Sequence, residues 1–282
     1  MKFRLFFLLI SSILIGLSLY SIFTWGFQLS IDFAGGTVWE IRTSLNKDEI
    51  IDILKQNNIS PNSISQAYVL KFGHIDNATH QQLIADFKKL DKDFTELRFE
   101  TLGPVLGKEL LRKTIYAIIL SSTALLIFIA SRFNDWTFGL GAILANFHDT
   151  FILLGAFSWL GHFYGAELDS LFVTALLTTL SASVHDTVVT FNRIRELKRQ
   201  NLKIDWLALT DQALRETIVR SLNNSMTIVF MLTALVILGG ETTRWFATAL
   251  LIGCVSGTYS SFGVALPLIL FFKRFQKHGS LV

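Results

Sequence analysis

Six long runs that are almost free of charge decide what this chain can become. They lie at Leu5–Trp25, Thr114–Ala130, Phe138–Leu160, Leu171–Phe191, Ile218–Leu238 and Phe246–Phe272. A helix needs about 20 apolar residues to cross a hydrocarbon core, and each run is near that length. A soluble domain of this size has no place for so much apolar surface, because 51% of the 282 residues are hydrophobic and 17% charged. The composition belongs to the membrane class. The single cysteine, Cys254, lies in the last run, so no disulfide framework is available and the thiol reads as a small buried residue. Lys2 and Arg4 give the first run the look of a signal peptide, but the run is long and has no small-x-small cleavage site. It is expected to stay as an anchor.

Orientation follows from the positive charges in the short loops, since Lys and Arg near a span end resist translocation. If every run crosses, then Lys2 and Arg4, Arg132, the set Arg193, Arg195, Lys198, Arg199 and Lys203, and Lys273, Arg274 and Lys277 share one side. That side is expected to be cytoplasmic, with both termini on it. The opposite short loops, Gly161–Asp169 and Gly239–Arg244, carry only Arg244. The long segment Gly26–Lys113 is then external, because segments beyond about 60 residues translocate largely regardless of charge.

That segment has a different texture. An alternating stretch at Thr37–Thr43 precedes a helical pattern over Asn46–Asn58; a strand-like run over Ser63–Phe72 precedes another helix near Thr79–Asp91; and Phe94–Thr101 alternates again. The order β-α-β-α-β predicts a small α+β domain with helices on one face of a sheet. The expected organisation is a first transmembrane helix over 1–25, an external domain over 26–112, a five-helix transmembrane domain over 113–272 and a cytoplasmic tail over 273–282. Within it, 193–216 mixes basic residues with Ile194, Leu197, Leu202, Trp206, Leu207 and Leu209, the pattern of an amphipathic interfacial connector. Two roles are open to it: a helical connector whose charges face water and lipid head groups, or a docking surface for a partner.

Ionisable groups inside hydrocarbon cost roughly 2.5–3.5 kcal/mol on insertion scales, so they default to function. Three places qualify: His148 and Asp149 in the third run, His185 and Asp186 in the fourth, and Arg220 at the start of the fifth. Burial disfavours an ionised carboxylate and a nearby cation favours it, so a mobile Arg220 beside Asp186 would form a proton relay. A proton crossing the membrane potential releases about 2.3 kcal/mol per 100 mV, which a protein uses only if protonation shifts it between two states. A permanent ion pair stapling two helices is the competing reading. Two His-Asp pairs also permit a metal site. Against it, neighbouring residues on a helix point about 100° apart, and no H-E-x-x-H pattern is present. The last run carries Gly253, Gly257 and Gly263 with Ser256, Ser260 and Ser261, a small-residue face that lets helices approach closely, either within the chain or at a subunit interface.

Several motifs are more specific. Ser30-Ile31-Asp32-Phe33-Ala34-Gly35-Gly36-Thr37 resembles the G-x-D-F-x-G-G signature of the SecD/SecF family, and Leu102-Gly103-Pro104-Val105-Leu106-Gly107 resembles its V-G-P-x-x-G. Asn146-Phe147-His148-Asp149 is similar to the family's H-D. The stretch Ser183-Val184-His185-Asp186-Thr187-Val188-Val189 through Asn192-Arg193-Ile194-Arg195-Glu196 is similar to S-I-N-D-T-V-V-x-x-D-R-I-R-E. Gly239-Gly240 and Gly257-Thr258-Tyr259-Ser260-Ser261 follow in the family's order. The match runs from about residue 30 to 261. One modest external domain and about six spans are similar to the SecF branch rather than to SecD or a fused SecDF.

The resemblance implies a non-enzymatic, proton-coupled export subunit of the inner membrane that binds SecD, associates with the SecYEG channel and helps move or release unfolded exported polypeptide. It implies a ferredoxin-like periplasmic domain, and it carries the proton-transport role to Asp186 and Arg220. Membrane lipid is the surrounding partner, no nucleic acid is expected, and no cofactor or metal is expected beyond the proton gradient. No G-x-x-x-x-G-K-[ST] phosphate loop is present. Four departures stand out: His185 replaces the usual Asn, Asn192 replaces Asp, Ser30 replaces Gly, and R-T-x-x-T-S-x-T-T reads Arg220-Ser221-Leu222-Asn223-Asn224-Ser225-Met226-Thr227-Ile228. Asn224 and Ser225 still offer hydrogen bonds near the relay. His185, which in water titrates near neutrality, is open to two roles: joining the proton transfer, or serving as an interhelical donor. The alternative function is a proton-driven exporter of the resistance-nodulation-division type, which predicts two large external domains. An intramembrane metallohydrolase is a third.

Overall fold

A computed structural model describes residues 4–64, 68–132, 135–200 and 205–279. It contains two compact units, Leu29–Tyr116 and the combination of Met1–Gln28 with Ala117–Val282.

The chain enters through helix α1 (Arg4–Trp25) and the short α2 (Ile31–Ala34), then builds β1 (Gly36–Arg42), α3 (Lys47–Gln56), β2 (Pro61–Ile64), β3 (Val69–Phe72), α4 (Asn77–Leu90) and β4 (Thr95–Leu102). The four strands form one sheet in the order β2-β3-β1-β4, with every neighbouring pair antiparallel. The expected run Ser63–Phe72 is therefore not one strand. It divides into β2 and β3, so the element order is β-α-β-β-α-β, the connectivity that ferredoxin-like domains share. Continuous apolar and polar alternation hid the break; Tyr68, in a left-handed conformation at φ +54°, leads into β3, and residues 65–67 lie outside the described residues. Pro61 is accommodated because β2 is an edge strand, where one backbone N–H has no ladder partner to lose.

The helices of this unit start where their caps dictate. Asn46 accepts from the Glu49 N–H at 3.0 Å while Glu49 accepts from the Asn46 N–H at 2.8 Å, a reciprocal capping box. Asp76 caps α4 through the Thr79 N–H at 3.0 Å. Ile50, Ile53 and Leu54 of α3 and Leu83 and Phe87 of α4 then bury against Trp39, Ile41, Leu70 and Phe72 of the sheet. Trp39 is fully buried, yet its indole N–H is satisfied by Glu96 at 2.6 Å.

The second unit is helical: α5 (Pro104–Arg132), whose first turns up to Tyr116 belong to the other unit, α6 (Trp136–Tyr164), α7 (Ser170–Gln200), α8 (Trp206–Leu238), α9 (Glu241–Ser260) and α10 (Leu266–Gly279), the last two joined by a π turn over Ser261–Ala265. With α1 they supply six helical segments long and apolar enough to span a membrane. The spans continue past the apolar runs that mark them, so the stretch 193–216 is the end of α7 and the beginning of α8, with 201–204 outside the described residues. The π turn lies just before Pro267, whose ring cannot accept a regular helical turn ahead of it.

Two apolar clusters fill the bundle. One contains Phe138, Phe191, Ile194, Leu209, Leu266 and Ile269; the other contains Leu153, Phe157, Phe172, Leu176 and Ala249. Along α6, α7 and α9 the two clusters are separated by a band of polar side chains, and that band holds the candidate site.

Candidate functional site

Asp149 lies on α6 between Ala145 of one cluster and Leu153 of the other. Its Oδ2 accepts from Ser183 Oγ of α7 at 2.5 Å and from Ser260 Oγ of α9 at 2.7 Å. Its Oδ1 accepts from Ser256 Oγ of α9 at 2.7 Å and lies 3.1 Å from His148 Nδ1. Four donors thus occupy the four lone-pair positions of one carboxylate. Asp149 is 5% exposed and His148 3%, and the other ring nitrogen of His148, Nε2, has no hydrogen-bond partner among the described residues. Ser183, Ser256 and Ser260 were legible in the sequence only as family motif letters or small residues. A partial signal was there: the hydroxyls of Ser256 and Ser260, four apart on a spanning helix, lie on one face.

Asp186 has the opposite surroundings. It lies one turn beyond Ser183 on α7 and opens into a cavity of about 120 Å³ lined by His185, Asp186, Asn224, Ser225, Cys254 and Thr258. That space admits several water molecules, at roughly 30 Å³ each. Among the described residues no side chain or backbone group donates to its carboxylate. The cavity's far wall is tied by a hydroxyl pair, Ser225 to Thr258 at 2.6 Å, which joins α8 to α9. Four of the sequence candidates, His185, Asp186, Asn224 and Ser225, therefore meet at one cavity, while His148 and Asp149 form a separate centre behind Ser183. His185 is exposed and makes no hydrogen bond to another helix among the described residues.

Arg220 is not brought to Asp186. It is exposed on α8, four residues before Asn224 and so on the same side of that helix, but it does not line the cavity. Ion pairs among the described residues of the bundle include His148 with Asp149, Arg193 with Glu196 and Glu216, and Lys273 with Asp135. Among the described residues Asp186 and Arg220 form none. No group of three or more His, Cys, Asp or Glu side chains comes together among those residues either.

The glycines of the last span act here. A Cβ at Gly253 would lie 2.4 Å from Thr179 Cγ2, and one at Gly257 would lie 2.9 Å from Ser183 Cβ. A residue larger than glycine at either position would push α9 away from α7. In the first unit the two glycine signatures also meet. Gly35, at φ +76°, lies so near Pro104 that a Cβ would come within 2.7 Å of the Pro104 Cα, and Gly107 abuts the Gly35 backbone. Gly36 pairs with Leu102 where β1 begins and the antiparallel β4 ends. Asp32 lies in α2, which Ser30 caps through the Asp32 N–H at 3.2 Å, and Gly103 leads directly into α5.

A bundle of spanning helices that carries aspartates at mid-helix, one buried and one facing a cavity, joined in one chain to a small split β-α-β unit, defines a membrane transport component. Sequence comparison places it more closely. The family model described as "Protein export membrane protein SecD/SecF, C-terminal" matches residues 82–275, and the SecD/SecF GG motif matches residues 20–44. The chain belongs to the SecD/SecF family of protein-export membrane proteins. The protein translocase subunit SecF of Thermobaculum terrenum is 35% identical over 294 residues, covering 95% of this chain and 92% of that one. That of Sebaldella termitidis is 33% identical over 289 residues, covering 98% and 92%. The crystal structure of SecDF from Thermus thermophilus superposes with a TM-score of 0.85 at 29% identity over 97% of this chain. The chain spans 38% of the length of that SecDF chain. It is a SecF-like, multi-pass inner-membrane protein, and these similarities do not favour the drug or lipid exporter.

Proposed function

We propose that this chain is the SecF-like half of a proton-driven accessory complex for protein export, and that Asp186 is its coupling carboxylate. The observation that carries this reading is the contrast between the two intramembrane aspartates. Asp149 is closed by four donors, whereas Asp186 faces a cavity and receives none. A group that exchanges protons needs an accessible oxygen and a neighbourhood that changes with its charge. Asp186 has the first. Arg220, one turn along α8 from the cavity residue Asn224, supplies the second by approaching when the carboxylate is ionised and withdrawing when it is neutral. The structure holds the two apart, which suits the withdrawn state.

In this scheme SecD supplies the other membrane half, SecYEG delivers the emerging unfolded polypeptide, and the unit Leu29–Tyr116 faces the exterior, where it contacts that polypeptide. Both termini then lie in the cytoplasm beside Arg132, Arg193 and Lys273. The chain acts without catalysing a covalent reaction and takes its energy from the proton gradient alone. The family relationship supports association with SecD and the translocase. The charge distribution supports the orientation.

The test is proton-motive-force-dependent export of a secreted reporter in vesicles containing SecYEG, SecD and this chain. Asp186→Asn, at wild-type assembly, is expected to abolish the proton-driven stimulation while leaving basal export. Unchanged stimulation would overturn the assignment of Asp186.

A further inference from the structure

The Asp149 centre has no place in a relay that runs between Asp186 and Arg220, yet it lies directly behind the cavity. Its donors come from three helices: His148 from α6, Ser183 from α7, and Ser256 and Ser260 from α9. Two of these elements also build the cavity. Ser183 lines it one turn from Asp186 on α7, and Gly257, next to Ser256 on α9, lines it together with Cys254 and Thr258. Gly253 and Gly257 leave no gap between the two helices, since an added Cβ at either would overlap Thr179 or Ser183.

We propose that Asp149 is a positioning residue, a carboxylate that pins α6, α7 and α9 at one point and thereby fixes the wall from which Asp186 exchanges protons. The proposal rests on the reading of Asp186 given above. A single acceptor with four lone-pair positions can hold three helices together where four separate neutral hydrogen bonds could not share one point. Charge-assisted hydrogen bonds are also shorter and roughly twice as strong as neutral ones, and the Ser183, Ser256 and Ser260 contacts are between 2.5 and 2.7 Å. An asparagine at 149 would replace one charged acceptor oxygen by an NH₂, so at most one oxygen is left to receive the donors that two oxygens now share. The junction would open, and with it the spacing of Ser183, Gly257 and Cys254 around the cavity. Asp186 would keep its own chemistry and lose its setting.

Cys254 provides a reporter of the cavity wall, since it is the only cysteine of the chain and lines the cavity. The assembled complex in vesicles is treated with N-ethylmaleimide, and the labelling rate of Cys254 is measured beside the pH profile of proton-driven export. Asp149→Asn is expected to raise the labelling rate roughly tenfold, the factor that loss of one hydrogen bond to a charged group allows, and to lower maximal export. The pH midpoint of the remaining export is expected to stay at its wild-type value. Ser256→Ala keeps the carboxylate and removes one donor, so it should raise labelling by a smaller factor with the same midpoint. It keeps the question open to test if Asp149→Asn does not assemble. A displaced midpoint in either variant, or wild-type labelling in both, would overturn the proposal. Asp186→Asn removes a carboxylate from the same cavity and should abolish stimulation. If instead it leaves stimulation intact, the coupling role of Asp186 fails while the labelling of the Asp149 variants still decides the positioning role.

Discussion

Asp149 and Asp186 each follow a histidine in a spanning helix, and what separates them is the company the fold provides. Asp149 meets serines from two neighbouring helices; Asp186 meets a cavity. The α+β unit offers a third case. Asp91 is buried and accepts from Thr43 Oγ1 at 2.6 Å, from the Ser44 N–H at 2.7 Å and from the Asp93 N–H at 3.0 Å. The Thr43 hydroxyl bond and then the Ser44 N–H hold its carboxyl below the usual carboxylate range. A carboxyl with a lowered folded-state pKa adds stability above its unfolded value, and that stability is lost as pH falls through the folded value. Asp91→Asn is therefore expected to lower the thermal midpoint at neutral pH. The gap from wild type should shrink once pH drops below about 4, the ordinary aspartate value. Thermal unfolding followed at pH 7 and pH 3 checks this, and an equal gap at both would refute it.

At the scale of elements, the packing of α9 on α7 depends on residues chosen for what they lack. Lipid offers no hydrophobic drive for helices to associate, so close backbone approach and hydrogen bonding hold spanning helices together. Gly253→Val would place side-chain atoms where Thr179 already lies. It is expected to destabilise the bundle by about 1–3 kcal/mol, the usual range for overpacking, measured as a lower unfolding midpoint in detergent. A midpoint equal to wild type would mean that α9 can slide without cost. The π turn Ser261–Ala265 belongs to the same element logic. It lets the last span carry Ser260 toward Asp149 and still pass Pro267, with α10 returning so that Ile269 fills the space beside Gly141.

At the scale of the molecule, the two units have separate cores, one around Trp39 and Phe87 and the other in the bundle. The bundle is latched by Lys273 of α10, which pairs with Asp135 at the start of α6 and lies 4.7 Å from the Trp206 ring of α8. Burial pushes the Asp135 carboxyl up, but its hydrogen bonds from Lys273 and Thr137 outweigh this and hold it below the usual range. Its contribution is thus present at neutral pH and lost in acid. Scanning calorimetry of the whole chain should resolve two transitions, with Lys273→Met moving only that of the bundle and Asp91→Asn only that of the α+β unit. Both substitutions moving one shared transition would contradict the division. Hydrophobic run length and charge by themselves determined the six spans, the helix that starts at Asn46 and the intramembrane acids, because these follow from the solvent each segment needs and from contacts within a few residues; α4 starts at Asn77, two residues ahead of the expected Thr79, because Asp76 caps it. The hairpin that splits Ser63–Phe72, the meeting of Gly35 with Pro104, the separation of Asp186 from Arg220 and the serine cage of Asp149 were decided only by the tertiary structure. Each depends on backbones distant in sequence approaching closely, and that distance is set by packing rather than by any one segment.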